Sequence, residues 1–457
     1  MPHKIFTHNR RKSPWPRRMA LVVLLAAAGL GGYKYLVPLR PAITEAVNTV
    51  TEVTPAPAAP TAAADAAQAP ASPVSSPGTT IDQARARLAA GDGAGAKSML
   101  APILEGKAEA QLLPQALVLA ADIESAQGNK EQAVALLERA VKDAGAGADA
   151  PLANARYAKA LEATGKFPEA EAIFARIKDT APKGMRAAAL AGLGRKAERA
   201  SDLLGARTLY QQALADALPG TAEWEEALDL LGRINTQIIF SPMETPESKY
   251  YAVEKGDNLN GIGVKFNTTQ GLLIRANNLS DAARLSLGQR LKITPKDFRI
   301  VVERSTCKIY LLDSDGIFKR YRTGLGMPGH ETALGKYTIG NKEKDPTWHP
   351  AGRPPVPPLD PANELGTRWM PLVPAEPNLP NDLGIHGTIA PETIGQYKSH
   401  GCPRMLKDDV EELYDLVVRS TPVRIVDVID WNEILKPSAP APVPTAAAPG
   451  TPAAKPQ

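Results

Sequence analysis

Two short stretches of this chain combine residue types that do chemistry. Gly384-Ile385-His386-Gly387-Thr388 is followed, after ten residues, by Ser399-His400-Gly401-Cys402-Pro403-Arg404-Met405. Together they hold one of the two cysteines and two of the six histidines. A cysteine nucleophile needs a base to take its proton, a turn that exposes the sulfur, and donors for the developing oxyanion. His386 stands sixteen residues before Cys402, too far for a helical neighbour, so a loop through Pro391 and Gly395 must fold the imidazole back. Gly401 and Pro403 favour a sharp turn at the cysteine, and Pro403 has no N–H to donate. The residues thus point to Cys402 as nucleophile, His386 as base, and the N–H groups of Gly401 and Cys402 as oxyanion donors. A buried, inert cysteine beside core histidines is the competing structural reading. A zinc site from His386, His400 and Cys402 is the competing chemical one, although no acid stands in a recognisable metalloprotease motif. His330 and His349 read as loop residues away from this site.

The arrangement H-G-T, a loop, then S-H-G-C-x-R-M resembles the signature of the L,D-transpeptidases, cysteine enzymes that cross-link bacterial peptidoglycan. The resemblance runs from about Phe298 to Asp430 and takes in Gly324-Leu325-Gly326, Gly335-Lys336-Tyr337-Thr338-Ile339, Pro346-Thr347-Trp348 and residues 363–370. It departs at Thr332-Ala333, where the family often has Thr-Pro, and at Pro403, where an aliphatic residue is common. The resemblance implies a β-rich catalytic domain over 298–430 that attacks the L-centre–D-Ala bond of a stem tetrapeptide. The Cys402 acyl-enzyme then passes to an amine, giving a 3-3 cross-link or a protein attachment. It also implies that the Gly387 carbonyl orients His386, while His400 shapes the pocket. Ser399 and Arg404 are expected at the substrate, with Arg404 gripping a carboxylate or else pairing with Asp408 or Asp409. Hydrolysis of the same acyl-enzyme, or a non-catalytic wall-binding scaffold, are the alternatives. The chemistry calls for no cofactor and no metal.

A chain of 457 residues suggests two to four domains, and 42 prolines are too many for one compact fold, so linkers are expected. The net charge of +4 is small, and much of the basic excess lies in the first eighteen residues, so nothing points to nucleic acid. Two cysteines make no disulfide framework. If Cys402 is the nucleophile, Cys307 must be free.

Residues 1–18 are basic without an acid, and an apolar run from Met19 continues past Lys34 to Leu39. As a helix this run rises about 31 Å, enough to span a hydrocarbon core of ~30 Å if Lys34 snorkels. The basic flank holds the N-terminus in the cytoplasm and sends the bulk into the periplasm or wall space. The expectation is a single-pass signal anchor over 19–39; Ala26-Ala27-Ala28 keeps a cleaved secretory signal open. A Pro/Ala-rich linker covers 40–80 and a similar tail 437–457.

Residues 81–240 read as all-α repeats. Gly91, Gly128 and Gly165 each precede by five residues an alanine, Ala96, Ala133 and Ala170, that opens a similar helix; Ser201 and Ala206 continue the series. The pattern resembles tetratricopeptide-type repeats, whose concave face would suit a protein partner; a plain helical spacer is the alternative. Residues 250–294 resemble a LysM peptidoglycan-binding domain, a small βααβ module, with Gly256, Asp257 and Asn277 in its expected glycan-binding loops. Beyond Pro295, strands are expected at Arg299–Val302, Lys308–Leu312 and Ile317–Thr323, with Ser314-Asp315-Gly316 as a hairpin turn. A proline-dominated loop over 346–380 would rim a cleft. Asp408 to Glu411 has capping-box spacing, Leu406, Val410, Leu413 and Val417 make a helical stripe, and 422–428 closes with a strand.

Overall fold

The computed structural model describes residues 79–280 and 284–434. The basic segment, the expected anchor, all but the last residues of the first linker and the C-terminal tail lie outside the described residues. No helix among the described residues is long and apolar enough to cross a membrane.

Four helix pairs come first: α1 (Thr80–Ala89) with α2 (Gly93–Leu104), α3 (Leu113–Ala126) with α4 (Lys130–Ala144), α5 (Ala150–Ala163) with α6 (Phe167–Ile177), and α7 (Lys183–Arg199) with α8 (Leu203–Asp216). The turn inside each pair passes through left-handed backbone, with φ of 83°, 87° and 80° at Gly91, Gly128 and Gly165 and 62° at Ser201. Glycine adopts that conformation without strain and serine does not, which accounts for the spacing of the first three units. The alanines five residues on, Ala96, Ala133, Ala170 and Ala206, are all buried, so their small side chains let the paired helices approach closely.

The ninth helix, α9 (Ala222–Ile239), is apolar on two sides. Leu231, Ile234 and Ile238 face the helix pairs, while Trp224 and Leu228 enter a core with Val301, Tyr310, Leu312 and Ile317 of the sheet. A helix with two buried faces joins what it separates in sequence. Asn235 donates from Nδ2 to the Phe318 carbonyl at 2.9 Å, Asp229 and Glu225 hold Arg320, and Glu225 also holds Lys308. The helix thereby covers the edge strand of the sheet.

The βααβ module follows as expected, with β1 (Lys249–Ala252) antiparallel to β2 (Arg290–Ile293) and α10 (Leu259–Lys265) and α11 (Gln270–Ala276) between them. Val253, Leu259, Ile262, Leu273, Leu291 and Ile293 make its own core. Leu272 and Ala276 on the other side of α11 join the catalytic core. Buried Lys292 donates to the Ile238 and Ser241 carbonyls at the end of α9, so helical region, small module and sheet meet at one junction.

The catalytic region contains β3 (Arg299–Glu303), β4 (Lys308–Asp313), β5 (Gly316–Arg322), β6 (Leu325–Gly326), β7 (Gly335–Ile339), β8 (Glu343–Lys344), β9 (Arg368–Pro374), β10 (Gly384–His386), β11 (Tyr397–Ser399) and β12 (Pro422–Val426), with α12 (Lys407–Leu416) and α13 (Trp431–Ile434). The main sheet has the order β10-β9-β7-β12-β3-β4-β5, with β8 added beside β9. Only β12 and β3 run parallel in it. Ile300, Val302, Ile309 and Leu311 pack on one side with Val410, Leu413 and Leu416 of α12. Val301, Tyr310 and Leu312 pack on the other with α9 and α13, so both faces are covered and the strands are apolar without alternation. The three expected strands and the turn at Gly316 appear where the sequence places them.

Two expectations are corrected. The proline-dominated stretch is not loop throughout, because β9 occupies 368–374 and includes Pro371 and Pro374. The Pro371 carbonyl accepts from Gly340 at 2.8 Å, so the missing N–H falls on the β7 side, just beyond the last β7–β9 pair, Ile339 opposite Leu372. The capping-box reading also fails. Helix α12 starts at Lys407, its cap is Leu406 without a side-chain hydrogen bond, and Asp408 and Asp409 lie inside the first turn, where their charge favours the helix dipole instead.

Candidate active site

The site is assembled by backbone pairing around residues 384–386 and 402–405. His386 donates its N–H to the Pro403 carbonyl at 3.2 Å, and Met405 donates to the His386 carbonyl at 2.8 Å, forming a parallel bridge between His386 and Arg404. Two residues upstream on each segment, the Gly384 N–H lies against the Cys402 sulfur. The positive charge of Arg404 acts on both the His386 ring and the Cys402 sulfur, which places the three groups near one another. The second support is the parallel pair β6–β11, which brings 327–332 against the cysteine turn. Met327 donates to the Ser399 carbonyl at 2.9 Å and Thr332 Oγ1 to the Gly401 carbonyl at 2.7 Å. Gly401 has φ of 120°, a backbone shape that L side chains avoid.

His386 is buried, its ring tilted against Trp369 with centroids 5.7 Å apart. Its Nδ1 lies 2.7 Å from the Gly387 carbonyl. A carbonyl only accepts, so Nδ1 carries the proton and Nε2 keeps the lone pair that a base requires. Burial, and then the positive charge of Arg404, hold the imidazole pKa down at about 4; the carbonyls of Gly387 and Glu364 offset only part of this. The ring is therefore neutral at physiological pH. A Cβ on Gly387 would lie 3.1 Å from the Leu365 carbonyl, so glycine lets the 363–367 loop close over the histidine. That loop is ordered by Asn363, which donates from Nδ2 to the carbonyls of Pro346 and Pro357.

Cys402 is half-buried, with Sγ 3.9 Å from the Asp382 carbonyl. Burial pushes its thiol above the ordinary value and the Asp382 carboxylate adds to that, while the Gly384 N–H and Arg404 favour the thiolate. The resting sulfur is a protonated thiol in need of a base. Cys307, in the β3–β4 turn, is buried and, like Cys402, free of any disulfide.

The other expected residues fall into different places. Arg404 reaches neither Asp408 nor Asp409; its guanidinium pairs with Glu364 at 3.1 Å, and its Nε is buried without an acceptor. Ser399 is buried and accepts the Gly401 N–H on Oγ at 3.2 Å. Ser399 is thus a turn-holding residue rather than a surface for substrate, and the Gly401 N–H is already engaged rather than free for an oxyanion. The Cys402 N–H donates to no protein acceptor among the described residues, which leaves it open as an oxyanion donor. His400 is exposed and stands edge-to-face on His330 with ring centroids 5.4 Å apart. His330 is therefore part of the rim, against the sequence reading; nothing in its local spacing signals this, because β6–β11 pairing brings it there. His386 is buried while His400 is exposed, and no three potential ligands cluster among the described residues.

In the βααβ module, Asn277 donates from Nδ2 to the Leu273 and Lys292 carbonyls and accepts the Lys292 N–H. Its side chain closes α11 onto β2 rather than facing a glycan. Asp257 accepts from the Tyr251 hydroxyl and the Glu254 N–H, and Gly256 makes the same turn with φ of 91°.

Family comparison matches residues 297–425 to the L,D-transpeptidase catalytic domain called YkuD and residues 251–294 to the LysM domain. A Bacillus licheniformis protein named as an L,D-transpeptidase, YkuD, is 30% identical over 181 residues, covering 38% of this chain and 97% of the relative. Its Bacillus subtilis counterpart shares the same identity and coverage. Escherichia coli ErfK/SrfK, also named as an L,D-transpeptidase, is 32% identical over 161 residues, or 32% of this chain and 49% of the relative. Among solved structures, the catalytic domain of the Enterococcus faecium L,D-transpeptidase aligns with 28% of this chain and 96% of its own at 23% identity and a TM-score of 0.23. The avibactam carbamoyl enzyme of Ldtfm aligns at 24% identity and a TM-score of 0.24, and this chain spans 49% of it. With a catalytic-domain match over the paired cysteine and histidine segments, and a relative covered almost end to end, the chain belongs to the L,D-transpeptidase family and is an L,D-transpeptidase enzyme carrying a LysM domain.

Proposed function

We propose that this enzyme cleaves the L-centre–D-Ala bond of peptidoglycan stem tetrapeptides through a Cys402 acyl-enzyme and transfers the acyl group to an amine. The observation that carries the reading is the His386 ring, buried, neutral and held by Gly387 through Nδ1, which leaves the lone pair on Nε2, on a segment paired with that of a cysteine that needs deprotonation. As Sγ attacks the carbonyl carbon, its proton passes to Nε2, and the Cys402 N–H receives the oxyanion. Collapse breaks the C–N bond and returns the proton to the leaving D-Ala amine. The acceptor amine then attacks the thioester, losing its proton to His386, and frees the thiol. Arg404, with one nitrogen on Glu364 and Nε unengaged, favours the thiolate and offers a positive charge to a substrate carboxylate. His400 and His330 form the rim above.

Peptidoglycan is the partner, through stem peptides at Cys402 and glycan strands at the LysM domain. The N-terminal apolar run is assigned as a single-pass anchor with the bulk in the periplasm, and the helix pairs as a tetratricopeptide-like platform for a protein partner. Exposing the protein to a carbapenem-type β-lactam tests the core of this reading. One label per chain is expected at Cys402, lost in Cys402→Ala and kept in Cys307→Ala. Labelling at Cys307, or tetrapeptide turnover by Cys402→Ala, overturns it. Mass analysis of muropeptide products separates transfer from hydrolysis, and an export-dependent reporter fused behind residue 80 tests the anchor.

A further inference from the structure

His386 and Trp369 are cross-strand partners on one face of β9 and β10. Arg368, the next residue along β9, points to the other face. There the LysM domain and the catalytic domain flank an open cleft of about 840 Å³. One wall is the α10–α11 turn and α11 itself, with the amides of Asn267 and Gln270 and the guanidinium of Arg275. The other carries Lys342, Lys344, Arg368 and Arg419. The volume lies within the range of about 300–1,000 Å³ typical of ligand sites, and the wall is the α10–α11 side of the module, not the loops holding Gly256, Asp257 and Asn277.

Charge in this cleft is unbalanced. Five cations face one lining carboxylate, Asp415, which already pairs with Arg275 at 3.3 Å. Arg368 reaches Glu411 at 3.6 Å and Asp345 at 3.7 Å, and its Nε is buried without an acceptor. Lys344 and Arg419 are exposed and have no carboxylate partner among the described residues. Lys344 also stands directly opposite Arg368 in the β8–β9 pairing, where like charges oppose folding. Lys342 is fixed rather than free, donating to the Tyr414 and Val417 carbonyls at 2.5 Å each with its Nζ 4.0 Å from the Tyr414 ring centroid. Burial holds its pKa down at about 8, so an entering anion would find a cation already stripped of water. A like-charged, polar, preformed recess costs the free protein stability and gains from an anion with several separated charges. Its concave walls suit a short acidic chain.

We propose that this cleft is a second peptidoglycan subsite, which holds the carboxylates of an acidic stem peptide other than the one at Cys402. The proposal rests on the peptidoglycan reading given above, and its test separates the two. Full-chain protein and its Lys344→Glu/Arg419→Glu variant are titrated with insoluble wall material, with amidated wall material whose carboxylates are blocked, and with phosphatidylglycerol vesicles. Turnover of soluble tetrapeptide is followed in the same preparations. The variant is expected to bind walls about tenfold more weakly, with a flatter salt dependence and unchanged turnover, and amidation should bring the parent down to the level of the variant. A matched reversal on the helical region, Lys130→Glu/Lys183→Glu, should leave wall binding as it was. Equal wall binding by parent and cleft variant, or an equal loss in the matched reversal, overturns the subsite. A difference seen on vesicles and not on walls replaces it with a lipid site. If the Glu pair also loses turnover, Lys344→Gln/Arg419→Gln decides by the same criteria. Absent turnover in the parent refutes the Cys402 reading and leaves the cleft comparison to stand on binding.

Discussion

The depressed basicity of His386 has a consequence for stability that can be worked out with its sign. In the unfolded chain the imidazole titrates near 6.5, and in the folded protein near 4. Above 6.5 it is neutral in both states and contributes nothing to the pH dependence. Between 6.5 and 4 the unfolded chain takes up a proton that the folded protein refuses, so folding weakens as pH falls. The full difference corresponds to about 3 kcal/mol, complete near pH 4. Carboxylates also weaken the fold in acid, so the measurement is a comparison. Urea unfolding of the wild type and of His386→Gln, followed by tryptophan fluorescence between pH 7.5 and 4, isolates the histidine. Glutamine keeps an N–H to offer the Gly387 carbonyl and has nothing to titrate. The wild type should lose about 3 kcal/mol more than the variant across that window. The same shift predicts that kcat/KM stays level from pH 7 to 5 and falls only as the pH approaches 4, since that ratio reports the free enzyme. A difference curve that is flat, or an acid limb at 6.5, would show that the imidazole titrates in the folded protein as it does in the unfolded chain, and would refute the burial that holds His386 neutral down to pH 4.

Further outcomes are expected elsewhere in the chain. His386→Ala should slow carbapenem acylation by about 10²–10⁴-fold near neutral pH and recover partly at high pH, where hydroxide makes the thiolate; rates measured across pH 6 to 10 check this. Ser201→Gly removes left-handed strain from a serine at φ of 62° and should stabilise the helical region by roughly 0.5 kcal/mol after the added freedom of glycine in the unfolded chain is allowed for, read from thermal unfolding. Asn235→Ala leaves the Phe318 carbonyl without its donor and should cost about 1–3 kcal/mol. Because α9 belongs to both cores, the loss should appear in helix signal and in catalytic activity at the same denaturant concentration. Gly387→Ala should reduce turnover while leaving wall binding intact, because its Cβ meets the Leu365 carbonyl at 3.1 Å and pushes the loop from the histidine.

What could be read from the sequence followed the range of the interactions behind it. The glycine spacing of the helix pairs was legible because each turn needs a left-handed residue at a fixed offset, and Ser201 was recognised as the fourth because it holds the same position. The βααβ module, the first three strands and the turn at Gly316 rest on equally local patterns. The cysteine and histidine segments announced themselves by residue type. Contacts made across the sheet were not legible. Glu364 on Arg404, His330 on His400 and Trp369 on His386 join residues 40, 70 and 17 positions apart, and no spacing rule links them. Ser399 and Gly401 were misread for the same reason. Their polar groups satisfy each other inside a turn whose shape depends on β6 lying beside β11. The capping box failed because Asp408 is already the second residue of a helix that starts at Lys407, with Leu406 as a cap that makes no side-chain hydrogen bond.

The shared cores also change what the modular sequence implies about action at the wall. Read from composition, the helical region, the LysM domain and the catalytic domain are separate modules. In the fold, α9 buries one side in the helix pairs and the other in the sheet, α11 contributes Leu272 and Ala276 to the catalytic core, and Lys292 ties the LysM strand to the end of α9. Burial of this kind resists the hinge motion that a polar interface would permit. Under the proposed function, a glycan strand held by the LysM domain would be presented at a fixed distance and angle from Cys402, and binding there would limit which stem peptides can reach the sulfur. Loosening the junction should therefore change which stems react more than how fast a small soluble peptide reacts. Lys292→Ala, compared with the parent on intact walls and on soluble tetrapeptide, measures that separation; an equal fall on both substrates would mean that the junction serves folding alone.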